Sequence, residues 1–186
     1  MKFNRTTISL VILALGLTGF VFFREIKDQQ FDLTSKIGKE EEKQEKIFTF
    51  DTKEIKNIDI EVNQEKINFE KTDKNVWLMT QPQKLTVNDA AMNFLINLFN
   101  QAENKLEIPS TPEKIQEFGL DKSHHKISLI LNNGDKYQII LGKGNFDDTA
   151  IYAQVIFPES LKATQNIFLV SKSFQYAIER DLEEWK

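Results

Sequence analysis

The chain has 186 residues, 28% of them charged and 40% hydrophobic, and a formal net charge of −4. Acidic and basic residues are interleaved along it, so no basic face marks a nucleic-acid partner. It has no cysteine, which excludes disulfides, thiolate metal sites, a cysteine nucleophile and a lipid-modified cysteine anchor.

From Thr6 to Phe23 the sequence TTISLVILALGLTGFVFF runs eighteen residues without a charge. That length crosses a bilayer core as a helix, near the short end of the range. A helix is also how a single segment satisfies its own backbone in hydrocarbon. Gly16 and Gly19 are ordinary in a membrane helix, and their i, i+3 spacing is not the GxxxG pairing motif. The competing reading is a cleaved secretory signal headed by Lys2 and Arg5. A signal closes on small residues, whereas Phe20, Val21, Phe22 and Phe23 carry this run to its end. An uncleaved anchor over residues 1–26 is therefore favoured, with the lipid bilayer as its partner. The basic head favours a cytoplasmic N-terminus and a periplasmic or lumenal domain, although Arg24, Lys27, Lys36 and Lys39 nearly balance it.

Residues 27–46 read as a charged tether. Its stretch Gly38-Lys39-Glu40-Glu41-Glu42-Lys43-Gln44-Glu45-Lys46 has nothing to bury, and is either a solvated helix held by Glu–Lys pairs or disordered. The remainder, 47–186, is long enough for one ordinary domain.

Strand signals open that domain. Ile47-Phe48-Thr49-Phe50 is short and β-prone. Ile58, Ile60 and Val62 alternate with acids, and Ile67 and Phe69 repeat the pattern after a turn at Asn63-Gln64-Glu65, which predicts a hairpin. Val76-Trp77-Leu78-Met79 reads as a third strand, stopped at Gln81-Pro82. A helix follows, with Thr86 as its predicted cap and Asp89 as the returning capping-box acid. Its apolar stripe is Ala91, Phe94, Leu95, Leu98, Phe99 and Ala102. Lys105-Leu106-Glu107-Ile108 reads as a short strand ended by Pro109, and Pro112 starts a short helix that Gly119 terminates.

The second half follows the same plan. Ile127, Leu129 and Leu131 lead into Asn132-Asn133-Gly134-Asp135, where Asn-Gly is a strong hairpin signal. Tyr137, Ile139 and Leu141 return, residues 151–155 and 167–170 add strands, and Ser173 to Trp185 is predicted as a closing helix. Ile58, Ile60 and Val62 lie over Ile127, Leu129 and Leu131 at an offset of 69 (127 − 58). The match fits two β-β-β-α repeats over 47–108 and 123–186, although two hairpins also align by chance. The fold class is α+β, an N-terminal transmembrane helix and then an antiparallel sheet with helices on one face.

No residue is assigned a catalytic, cofactor or metal role. His124-His125 are the only histidines, and neighbours on a strand point to opposite faces, so the two do not readily share a metal; a polar lead-in to a strand is favoured over the alternative, a single-histidine site with Asp121. Asp147-Asp148 carry oxygens that suit calcium but lack the spaced acids and closing glutamate of a calcium loop. Gly142-Lys143-Gly144 is a faint phosphate cradle with no helix for it to open. Asp181, Glu183 and Glu184 read as the wet face of the last helix, and Trp185 as the pin of that helix.

Trp77 ahead of a proline, the capped helix with Phe94-Leu95-x-x-Leu98, Phe118-Gly119-Leu120-Asp121 and the hairpin ending Ile140-Leu141-Gly142 together resemble the domain of unknown function 4340 family, from about residue 47 onward. The closing run Phe174-x-x-Ala177-x-x-Arg180-x-Leu182-x-x-Trp185 resembles the short single-anchor members of photosynthetic bacteria. The resemblance carries over no activity and no functional residues. Some members of the family sit beside, or are fused to, components of membrane export and gliding systems, so it implies an envelope or thylakoid membrane accessory protein.

The expected function is accordingly a membrane-anchored, non-enzymatic interaction protein docking on a larger membrane complex, with no cofactor. The alternative is a module that binds a small ligand or lipid in a groove between the two halves.

Overall fold

The computed structural model describes residues 45–161 and 165–186. The chain divides after Lys43, and the predicted anchor and nearly all of the tether lie outside the described residues. Among the described residues no helix is long and apolar enough to cross a membrane.

Nine strands form one sheet: β1 (Ile55–Val62), β2 (Glu65–Lys71), β3 (Trp77–Gln81), β4 (Leu85–Thr86), β5 (Glu107–Pro109), β6 (His125–Leu131), β7 (Lys136–Gly144), β8 (Ala150–Ile156) and β9 (Asn166–Ser171). The helices are α1 (Asp89–Gln101), α2 (Pro112–Glu117) and α3 (Ser173–Ile178). The order across the sheet is β4-β3-β2-β1-β6-β7-β8-β9-β5, and every pairing is antiparallel.

The sheet is built outward from its central pair. Ile58 faces Leu129 and Ile60 faces Ile127, so shifting each β1 residue by 69 exchanges the two pairs. On the flanks Ile58 faces Phe69 and Ile60 faces Ile67, while Ile127 faces Ile139 and Leu129 faces Tyr137. The side chains at period two on these strands line one face and are buried. The first hairpin turns on Asn63 and Gln64 at φ 52 and 74, and the second uses Gly134 at φ 89. Positive φ at both central residues of a two-residue turn matches the twist of the flanking strands.

Helices α1 and α3 lie on that buried face. Leu95, Leu98 and Phe99 of α1 join Phe174, Ala177 and Ile178 of α3 in the main core, and the Phe99 and Phe174 rings meet edge-on at 5.2 Å. The expectation of helices on one face fails at α2. Ile140, Gln154 and Ile167 form a row on the opposite face, and Phe118, Leu120 and Ile115 of the α2 segment cover it in a second cluster. That row is apolar enough to need a lid of its own, and Phe118 stacks on Tyr152 with ring centroids 3.9 Å apart.

Four local expectations also change. Residues 47–50 form no strand: Lys46 makes an isolated bridge to Glu103, and Phe48 and Phe50 instead pack on Phe99 and Tyr137. Thr86 does not cap α1, because β4 commits Leu85 and Thr86 to pairing with Met79 and Leu78. The cap is Asn88, whose Oδ1 accepts from the backbone N–H groups of Ala90 and Ala91 at 2.9 and 3.2 Å. β5 begins at Glu107 rather than Lys105, and Pro109, opposite Asn166, is its last residue, tolerated because β5 is an edge strand. The closing helix stops at Ile178, and a separate 3-10 turn spans Leu182–Trp185. The break folds Trp185 back over β2, where it is fully buried with its ring 4.8 Å from Phe69.

Candidate functional site beside the central strands

A cleft of about 550 Å³ lies where the first hairpin meets the end of α3. Ile60, Val62 and Ile67, with Pro82, form one wall, and Ile178 and Leu182 the other. Glu65, Lys66, Glu179, Arg180 and Asp181 line its polar part. The volume falls within the range of small-molecule sites, and an apolar floor with a few polar groups is their usual composition.

Three of these five charges have internal partners. Lys66 stands 3.9 Å from Glu61, an exposed pair that contributes little. Glu179 accepts from Gln175 Nε2 at 2.7 Å and lies 2.8 Å from His125 Nε2. Arg180 is held by aromatic faces: its guanidinium carbon sits 5.0 Å from the Phe94 centroid and 5.9 Å from that of Trp185. Its Nε is buried without a hydrogen-bond partner among the described residues, as is Trp185 Nε1. The lining contains no hydroxyl or imidazole, so the cleft can hold a molecule but sets up no nucleophile beside a base.

The candidates singled out in the sequence lie elsewhere and fill structural roles. His125 opens β6 and turns to Glu179, while His124 and Asp121 are exposed on a shallow cleft of about 510 Å³ with Ser123 and Lys143. Among the described residues no three His, Asp or Glu side chains gather as metal ligands. Asp147 accepts from the N–H and hydroxyl of Thr149 at 3.1 and 2.6 Å, and these bonds hold its carboxyl below the ordinary range. Asp148 takes a left-handed φ of 58 and pairs with Lys172, a contact that raises the lysine's pKa. The two aspartates therefore build a turn.

Gly142 and Lys143 face a helix end of the polarity opposite to the one an anion needs. Leu120 N–H donates to Ile115 O at 2.9 Å and Gly119 N–H to Gln116 O at 3.1 Å, with Gly119 at φ 69. That is a Schellman closure of α2, completed by the apolar contact of Leu120 with Ile115. The carbonyls left over point at β7: Phe118 O accepts from Lys143 N–H at 2.9 Å, and Glu117 O from Lys143 Nζ at 2.9 Å. A Cβ on Gly142 would stand 2.4 Å from Phe118 O. The lysine serves a helix C-terminus, where a cation is favoured.

The cleft itself was not legible in sequence, since its lining combines residues near 60, 66 and 180 with no shared motif. The signal that was present is Arg180 on the buried side of the last helix. Asp181, Glu183 and Glu184 stay near the surface, Glu183 pairing with Lys186.

The family described as "Domain of unknown function (DUF4340)" matches residues 77–186. The chain belongs to this family. The DUF4340 match begins at β3, later than the residue near 47 from which the resemblance was read, and it leaves the first hairpin outside. Neither a curated protein nor a solved structure matches the chain. Of the residues that carry the resemblance, Phe118, Gly119 and Gly142 clamp α2 to the sheet, and Phe174, Ala177 and Trp185 are core, whereas Phe94 and Asp121 are exposed.

Proposed function

We propose that this DUF4340 chain is a membrane-anchored, non-enzymatic accessory protein, held by the run Thr6 to Phe23 and docking through its folded domain on a larger membrane complex. The observation that carries the reading is the fate of its chemistry-bearing residues. His125, Lys143, Asp147 and Asp148 are engaged in contacts that hold turns, a helix end and a strand end together. We further read the exchange of pairs across β1 and β6 as two copies of one strand-rich unit, 47–108 and 123–186, and the closing run as that of the short, single-anchor members of photosynthetic bacteria. The N-terminus is placed in the cytoplasm and the domain on the periplasmic or lumenal side.

The test is gentle detergent extraction of a tagged full-length copy at native level, with crosslinking and mass spectrometry of what co-purifies. A stoichiometric membrane complex is expected. Recovery of the protein alone under several detergents would overturn the docking role.

One observation favours a second reading, a small ligand or lipid bound between the halves. The cleft joins β1 and β2 to the end of α3, and the unpaired Arg180 Nε belongs to one of its lining residues. On this reading the melting temperature of the purified full chain rises with an extracted lipid fraction, and Ile67→Asp abolishes the rise.

A further inference from the structure

The turn between β7 and β8, residues 145–149, is ordered by its own polar groups. Asn145 Oδ1 accepts from Ala150 N–H at 3.0 Å, Asp147 accepts from Thr149, and Asp148 pairs with Lys172. What this turn presents is Phe146, whose ring is fully exposed. An ordered turn that carries a phenylalanine wholly in water forgoes the burial that such a ring normally gains. Tyr176, 58% exposed, is joined to this turn through Lys172, whose Nζ lies 5.7 Å from the Tyr176 ring and pairs with Asp148.

The place where the described chain begins adds a second, independent observation. A cleft of about 480 Å³ is bordered by Thr149 and Ala150 on one side and by Ala102, Glu103 and Lys105 on the other. Glu103 bridges to Lys46, and Asn104 N–H donates to Glu45 O at 2.7 Å. The chain coming from Phe23 thus enters the domain on the border of the cleft that the Phe146 turn also borders. Residues 24–44 reach at most about 75 Å extended and span about 25 Å as a flexible coil. A bilayer holding the anchor is within easy reach of this rim.

We propose that Phe146, with Tyr176 linked to the same turn through Lys172, seats in the interface of the bilayer that Thr6 to Phe23 crosses, fixing how the domain stands on the membrane. The proposal rests on the reading of that run as a span. Tyrosine favours the headgroup level, phenylalanine is among the apolar residues that bury at the headgroup–acyl boundary, and a tethered domain needs only a weak second contact because its effective concentration at the surface is high. The contact is apolar in character. Asp147 and Asp148 against Lys172 leave the turn with one net negative charge, so the partner surface is zwitterionic lipid and anionic lipid weakens the contact.

The absence of native cysteine allows a direct test in the full chain. Single variants Phe146→Cys, Asn133→Cys and Ile12→Cys carry an environment-sensitive dye in phosphatidylcholine nanodiscs doped with a spin-labelled lipid quencher. Asn133 lies in the hairpin turn at the other end of β7, about 30 Å away along nine strand residues. Quenching at 146 is expected to exceed that at 133 several-fold, with the dye at 12 strongly quenched. If 12 is quenched but 146 behaves like 133, the seating of Phe146 is overturned and the anchor stands. If 12 is not quenched, the span reading falls and the proposal with it. To exclude insertion driven by the dye, Tyr176→Cys is labelled with and without Phe146→Ser, and loss of quenching in the double variant is expected. Unchanged quenching there would overturn the role of the phenylalanine. Stronger quenching on adding phosphatidylglycerol would overturn the apolar character of the contact.

Discussion

Replacing Gly142 by alanine tests the packing of α2 on the sheet. The new Cβ would stand 2.4 Å from Phe118 O and 3.0 Å from Leu120 Cδ2, whereas even a close C···O contact is about 3.3 Å. The carbonyl must therefore retreat by about 1 Å, and it is the acceptor of the Lys143 N–H bond. Loss of that bond costs about 1 kcal/mol, and forcing extra volume into a packed contact costs about 1–3 kcal/mol more. The stiffer unfolded chain returns about 0.4–1 kcal/mol. The net destabilisation is about 2–3 kcal/mol, a drop of roughly 8 °C in melting temperature for a domain of this size. The assay is thermal unfolding of the full chain in detergent followed by tryptophan fluorescence, with hydrogen exchange as the local readout. The amides of Leu120 and Lys143 are expected to lose protection first, while the β1–β6 pairing keeps its own. Gly134→Ala serves as control, because nothing lies within 4 Å of its Cβ and only its φ of 89 resists the change. A Gly142→Ala protein that melts within 2 °C of the parent would refute the clamp between α2 and β7.

Other substitutions separate the remaining contacts. Trp185→Ala removes a fully buried ring tilted against Phe69 and should cost about 3–5 kcal/mol in denaturant unfolding; a loss below 1 kcal/mol would mean that the C-terminal turn does not pack on β2. Asn88→Ala should cost about 1 kcal/mol, as loss of an N-cap does, whereas Thr86→Ala should stay within about 0.5 kcal/mol, and the reverse order would restore Thr86 as the cap. The Asp147 carboxyl is held below the Asp range by Thr149. A depressed folded-state pKa adds stability that is fully present above about 3.9 and disappears as pH falls through the lower folded value. NMR titration should place Asp147 below the ordinary range and Thr149→Val should return it there; no movement would deny the bond. Burial raises the pKa of the Tyr137 hydroxyl, so in ultraviolet titration it should ionise after an unburied tyrosine; its contribution to stability is fully present below the unfolded-state pKa of about 10 and is lost as pH rises from there through the higher folded value.

Much of the fold was legible because its strands carry a strict period of two. Ile58, Ile60, Ile127 and Leu129 announced a buried face, and the two central hairpins follow from turn chemistry at Asn63 and Gly134. Elements set by competition between neighbours were not legible. Thr86 is as good a cap as many, but whether it caps or pairs depends on Met79 and Leu78 lying opposite, a contact made across Pro82. The last helix has one apolar stripe through Trp185 on paper, yet the ring is drawn off the helix axis by Phe69, more than 100 residues earlier. Short α2 could be located from Pro112 and Gly119, but not its side of the sheet, since that depends on the row Ile140, Gln154 and Ile167 being left uncovered.

The division of the cleft's lining explains why family membership says so little about function. Ile178, Glu179, Arg180, Asp181 and Leu182 belong to the matched residues, whereas Ile60, Val62, Glu65, Lys66 and Ile67 precede Trp77 and lie outside them. The motif glycines hold the α2 clamp in place independently of the first hairpin, whereas the C-terminal turn packs on Phe69 of β2. On the second reading proposed above, in which the cleft binds a ligand, five of its eleven lining residues come from β1 and β2, outside the matched segment. Exchanging Glu65, Lys66 and Ile67 alone should change what the domain recognises and leave its melting temperature nearly fixed, because two of the three are exposed and none belongs to the clamp. Binding that survives this exchange unaltered would move the recognition surface away from the cleft, toward the rim that carries Phe146.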